Sequence, residues 1–171
     1  MKSLVIRVSK LAHLIYLSEL TNLIAQEAAK SNMLAWEKKA LAEQISKSNA
    51  CLALHQNQLV GYVGLIEWNA YIEISALIVK AEFRQQKIGS SLVKRIINVA
   101  LERYPDKEII ILPNKISSKI SLKLGFQAKA KNELAQEIWS ACTNCKEVAI
   151  FPDCHCQPMI FQKGLPEPER R

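Results

Sequence analysis

The stretch FRQQKIGSSLVKRII, residues Phe83–Ile97, sets one glycine, Gly89, between a run of polar and basic residues and an apolar run with helical spacing. Leu92, Val93, Ile96, Ile97 and Ala100 fall on one side of the expected helix, with Lys94, Arg95, Asn98 and Arg103 on the other, and Pro105 ends it. The preceding YIEISALIVK, residues 71–80, reads as a strand. Where a strand gives way to a helix, the first backbone N–H groups of the helix lack partners and carry partial positive charge. They bind an anion when no side chain crowds them. Gly89 permits that approach, Arg84 and Lys87 add charge, and Ser90 and Ser91 add hydroxyl donors or a cap. The run Arg84, Gln85, Gln86, Lys87, Ile88, Gly89 and Ser90 is thus a candidate pyrophosphate cradle, the alternative being a plain strand-to-helix turn with solvated cations.

Working outward, SLVIRV (3–8) reads as a short strand. KLAHLIYLSELTNLIAQEAAK (10–30) follows as a helix with Leu11, Leu14, Ile15, Leu20, Leu23 and Ile24 on its apolar face, and WEKKALAEQISKS (36–48) as a shorter one. CLALH and LVGYVGLIEW, with the 71–80 strand, form an antiparallel meander whose turns are Gln56–Gln58 and Asn69-Ala70. After the Ser90 helix, EIIIL (108–112) is continuously apolar, as in a strand buried on both faces. A helix with Ile116, Ile120 and Leu124 follows Pro113. Its lysines Lys115, Lys119 and Lys123 are assigned to solvent, and Gly125 is placed to cap it. ELAQEIW suggests a short helix and PMIFQ a last strand. The expected fold class is α+β, with a single mixed, mostly antiparallel sheet of about six or seven strands flanked by helices.

A chain of 171 residues, 49% hydrophobic and 23% charged with only five glycines, suits one domain over residues 1–163, with 164–171 as a tail. The apolar start is broken by Arg7 and Lys10, and no run reaches membrane-spanning length, so a cytoplasmic location is expected. The formal charge of +7 suits a phosphate-rich ligand. Its basic residues are dispersed and aromatics make up only 6%, which disfavours nucleic acid.

LIVKAEFRQQKIGSSL (77–92) resembles the acyl-CoA signature of the GNAT-type N-acyltransferases, Arg/Gln-x-x-Gly-x-Gly/Ala after a strand, with Arg84 and Gly89 in register and Lys87 where the first glycine is usual. NKISSKISLKLGF (114–126) is similar to a second pattern of that family. Asn114, Gly125 and Phe126 match in spacing, Ser117 stands for an alanine and Ser121 for a tyrosine. The resemblance covers about residues 50–127. It implies acetyl-CoA as co-substrate, held at the cradle, at Asn114 and Ser117, and by backbone groups near Leu77, Ile78 and Val79 that would polarise the thioester carbonyl. It also implies direct transfer to a primary amine by a general base. Glu73, mid-strand and on one face with Tyr71, Ser75, Leu77 and Val79 if alternation holds, is the first candidate, against a carboxylate on a solvated sheet face; Glu67 is the runner-up. Ser121 takes the place of the tyrosine that protonates the leaving thiolate, either as a hydrogen-bond donor or as a helix-filling residue.

Four of five cysteines lie at 142–156. Cys142, Cys145, Cys154 and Cys156 form two close pairs that could hold zinc, with unliganded thiols and, disfavoured by compartment, disulfides as the alternatives; Cys51, isolated in a strand, reads as core. The same segment loosely resembles short amino-acid acetyltransferases related to N-acetylglutamate synthase, which implies an amino-acid acceptor. The expected partners are a small amine and, as a further option, a second copy of the chain, but neither nucleic acid nor membrane. An inactive CoA-binding or zinc-stabilised interaction module is the alternative to an enzyme.

Overall fold

Helix α1 (Leu17–Ala29) turns Leu20 and Ile24 inward, and α2 (Lys38–Ser46) does the same with Leu41 and Ile45. These four close over Leu52, Leu54, Leu59, Tyr62, Ala76 and Ile78 of the strands, forming one apolar cluster. The computed structural model describes residues 4–30, 33–144, 154 and 156–163. Its strands are β1 (Leu4–Val8), β2 (Ala50–His55), β3 (Gln58–Glu67), β4 (Tyr71–Val79), β5 (Glu108–Ile111), β6 (Phe126–Ala128) and β7 (Met159–Phe161), and the remaining helices are α3 (Ile88–Arg103) and α4 (Lys115–Lys123). They form a seven-stranded, mixed, mostly antiparallel sheet in the order β1-β2-β3-β4-β5-β7-β6. The α+β class and the strand number agree with the sequence.

The chain folds as two compact units: residues 1–66 with 74–106, and residues 67–73 with 107–171. In the first, β1 pairs antiparallel with β2, and β2 with β3. The β2–β3 turn is tight because Gln56 and Asn57 both adopt left-handed backbone, with φ of 53° and 61°. Strand β2 is buried almost throughout, so apolar residues occupy both of its faces. In α3 the buried positions are Ile88, Leu92, Val93, Ile96, Ile97, Val99 and Ala100, the apolar side expected from the 3.6-residue period.

In the second unit, β7 runs antiparallel between β5 and β6. Tyr71, Ile110, Leu134, Ile138 and Trp139 make its apolar core. Gly125, at φ of 89°, ends α4 in the left-handed conformation that favours glycine.

Two expectations are corrected. The first helix begins as a 3-10 turn over Leu11–Tyr16, which leaves Leu11 and Ile15 exposed, because three residues per turn do not keep a 3.6-period stripe on one side. Strand β4 does not alternate to its end. Ala76 is left-handed at φ of 52°, and after it Ala76 and Ile78 join the α1–α2 cluster on the side where Ser75 meets Gln44 of α2. Ser75 therefore does not share a face with Leu77 and Val79.

Candidate active site

In the first unit, β4 delivers the chain through a short turn, Ala81–Phe83, to the start of α3. Among the turn residues, Arg84, Gln85, Gln86 and Lys87 are exposed, Gly89 and Ser90 are partly buried, and Ile88 is buried and anchors the helix end to the core. Lys87 is the residue before the first helical turn, with φ of 62° and ψ of 8°, and Gln85 is also left-handed at φ of 61°. The backbone conformation that a glycine would adopt freely is thus taken up by lysine where the family places its first glycine. Gly89 lies inside α3 and is not left-handed, so no special dihedral requires a glycine there.

Arg84 faces competing demands. Its Nε–H donates to the Val79 carbonyl at 3.0 Å, and its guanidinium pairs at 2.9 Å with the nearly buried carboxylate of Glu27 on α1. Lys80 pairs with Glu19 of the same helix at 2.6 Å. The Arg84 side chain holds the turn in place in addition to carrying charge. Leu77 and Val79 are partly buried and Ile78 is buried.

The left-handed kink at Ala76 is braced by a buried amide. Gln44 Nε2 donates to Ser75 Oγ at 3.2 Å and to the Leu65 carbonyl at 3.1 Å, while Tyr62 Oη–H donates to Gln44 Oε1 at 2.8 Å. Gly64 makes room for it: a β-carbon there would stand 2.4 Å from Gln44 Oε1. Sequence inspection missed Gln44, which reads there as one polar residue of an amphipathic helix.

In the second unit, Glu73 of β4 is 9% exposed, and its Oε2 accepts the indole Nε1–H of Trp68 at 2.9 Å. Burial pushes its carboxyl from 4.5 up to about 7, and the indole hydrogen bond works in the other direction. A carboxyl poised there can gain and lose a proton near neutrality, as a general base must. Glu67 is exposed and paired with Lys107 at 2.8 Å. Sequence inspection also missed Trp68. Its signal was the two-residue turn Asn69-Ala70, which puts Trp68 opposite Tyr71 and diagonal to Glu73.

Asn114 caps α4, its Oδ1 accepting the Ser117 N–H at 2.9 Å and the Ser117 hydroxyl at 3.0 Å. Ser121 is buried, with its hydroxyl donating to the Ser117 carbonyl at 3.2 Å. Cys51 is fully buried and its thiol is pushed up to about 12, which makes it an inert core residue. Cys142 packs beside the apolar core of its unit, and Lys131 Nζ donates to Cys154 Sγ at 3.0 Å. Among the described residues no three His, Cys, Asp or Glu side chains gather as a metal site. Cys145, the fourth residue of the expected zinc set, lies outside the described residues.

The meander thus leads through a kinked strand and a short turn into α3. The Acetyltransferase (GNAT) domain family matches residues 20–142, and the chain belongs to the GNAT acetyltransferase family. No curated protein matches it in sequence at a significant level. Among solved structures, it is similar to N-acetylglutamate synthase from Neisseria gonorrhoeae, complexed with coenzyme A and N-acetyl-glutamate, at 17% identity and a TM-score of 0.72. That match covers 94% of this chain and 35% of the synthase, so the chain spans about a third of its length. It is also similar to the PaiA N-acetyltransferase of Thermoplasma acidophilum in complex with coenzyme A, at 17% identity and a TM-score of 0.63 over 94% and 99% of the two chains. A third similar structure is diaminobutyrate acetyltransferase from Paenibacillus lautus with L-2,4-diaminobutyric acid and coenzyme A, at 12% identity and a TM-score of 0.61 over 94% of each chain.

Proposed function

We propose that the chain transfers the acetyl group of acetyl-CoA directly to the primary amine of a small acceptor, with amino acids the first class to test. The observation that carries this reading is Glu73, a buried mid-strand carboxyl held near neutrality on the strand that runs on into the candidate cradle. A module that only binds CoA has no use for such a group.

In this mechanism the acceptor ammonium gives a proton to Glu73, directly or through water. The free amine nitrogen attacks the thioester carbonyl, the C–N bond forms, and the C–S bond breaks. Backbone N–H groups of the β4 segment Leu77–Val79 stabilise the oxyanion. The thiolate, whose conjugate acid has a pKa near ~8.5, leaves without a strong acid and takes its proton from solvent or from the nitrogen. Ser121 then fills a helix position, its hydroxyl bonded to its own helix. The pyrophosphate lies against the N-terminus of α3, with Gly89 admitting it and Gln85, Gln86, Lys87 and Ser90 around it. The acceptor class takes support from the fold shared with one enzyme named for an acetylated amino acid and one bound to its amino-acid substrate. Zinc on Cys142, Cys145, Cys154 and Cys156 is a separate proposal, checked by elemental analysis of protein purified without chelators.

An acetyl-CoA turnover screen over amino acids, diamines, polyamines and peptides tests the proposal. Turnover with at least one amine is expected, and Glu73→Gln should cut it by about 10²- to 10⁴-fold while acetyl-CoA affinity stays nearly intact. Binding of acetyl-CoA without transfer to any amine would favour the inactive module.

A further inference from the structure

We infer that Trp68 is a positioning residue for Glu73: its indole N–H fixes one carboxylate oxygen and leaves the other to meet the acceptor amine or an intervening water. The inference rests on Glu73 being the base. The β3–β4 turn is built to place that indole. The Trp68 N–H donates to the Tyr71 carbonyl at 2.9 Å, closing the hairpin. Lys107 Nζ donates to the Trp68 carbonyl at 2.7 Å and to Glu67 Oε1 at 2.8 Å, and the Asn69 N–H donates to Glu137 Oε1 at 3.1 Å. The turn is therefore held to β5 and to the Gln136–Asn144 segment, and the indole packs against the apolar core of its unit. Its N–H reaches Glu73 Oε2 at 2.9 Å, a charge-assisted hydrogen bond when the carboxyl is ionised.

The charged groups of the surrounding elements have partners of their own or face solvent. Glu67 and Lys107 bind one another, Glu137 is held on the Asn69 N–H, Glu108 is exposed at the start of β5, and Tyr71 is the remaining ionisable group on the strand. What acts on Glu73 is burial, opposed by the indole. An indole donor favours the ionised carboxyl without supplying a formal charge, so the base is not neutralised by an ion pair. Without the N–H the carboxyl would take up a proton more readily and lose one fixed oxygen, so fewer molecules would hold an ionised, aligned base at neutral pH.

The test uses the whole chain in two measurements. The protein has three tryptophans, Trp36, Trp68 and Trp139, so its indole N–H resonances in a ¹H–¹⁵N spectrum are assigned by their loss in single Phe variants. The Trp68 resonance should titrate near neutrality in the wild type and stop titrating in Glu73→Gln. In Trp68→Phe, which keeps a packed ring but no donor, the acid limb of kcat/KM should move up by about one pH unit, with acetyl-CoA affinity unchanged and most of kcat recovered at high pH. An indole resonance that ignores the Glu73 titration, or an acid limb unmoved in folded Trp68→Phe, would overturn the positioning role while leaving Glu73 as base. Full activity in Glu73→Gln would remove the base and the inference with it. If Trp68→Phe does not fold, the spectra of wild type and Glu73→Gln decide the question.

Discussion

Glu73 and Lys87 each hold a state that costs the fold free energy. For Glu73 the cost is electrostatic. Its folded value of about 7 lies above its ordinary 4.5, so the stability it contributes is full below pH 4.5 and is lost as the pH rises through about 7. Glu73→Gln should therefore be more stable than wild type at pH 8, by up to about 3 kcal/mol, with the difference fading toward pH 4.5. Urea titrations at the two pH values check this. For Lys87 the cost is conformational, because an L side chain in the left-handed region is disfavoured by ~1–2 kcal/mol and glycine is not. Lys87→Gly, after the larger chain entropy glycine loses on folding, should still gain about 0.5–1 kcal/mol in a denaturant midpoint. Glu73 was legible in the sequence as a mid-strand carboxylate, but its partner and its burial were not, since both depend on how a turn folds back on the strand.

Elements carry the next level of the design. Helix α4 has only nine residues, and Asn114 supplies a cap to its first turn. Asn114→Ala should lower stability by ~1 kcal/mol in urea unfolding. Strand β4 shows why element boundaries were easier to read than element detail. Its apolar run announces a strand, yet the left-handed Ala76 that redirects it is set by the buried Gln44 network and by Gly64 beneath it. Replacing Gln44 with leucine would leave Tyr62 Oη–H, the Leu65 carbonyl and Ser75 Oγ without that partner in a buried place. The expected loss is about 2–4 kcal/mol, measurable by thermal unfolding. The 3-10 start before α1 was hidden for a related reason: periodicity reports which residues are apolar, whereas the docking of the turn decides how tightly it winds.

For the whole molecule, binding and folding are linked. Coenzyme A at 100 times its dissociation constant should stabilise the native state by about 2.7 kcal/mol, seen as a higher melting temperature. Gly89→Val should abolish most of that shift, because a branched side chain would crowd the helix N-terminus proposed to take the pyrophosphate. An unchanged shift in folded Gly89→Val would place the cradle elsewhere. Among the described residues no helix is long and apolar enough to cross a membrane. The sequence by itself determined the order of strands and helices, the apolar side of α3 and the family, because these follow from local periodicity and motif spacing. Tertiary structure alone decided that Lys87 takes the left-handed position, that Glu27 claims Arg84, that Ser121 bonds its own helix and that Trp68 meets Glu73. The physical reason is that hydrogen bonds, desolvation and backbone strain depend on which groups meet across the fold, and residues distant in sequence meet only once the core has closed.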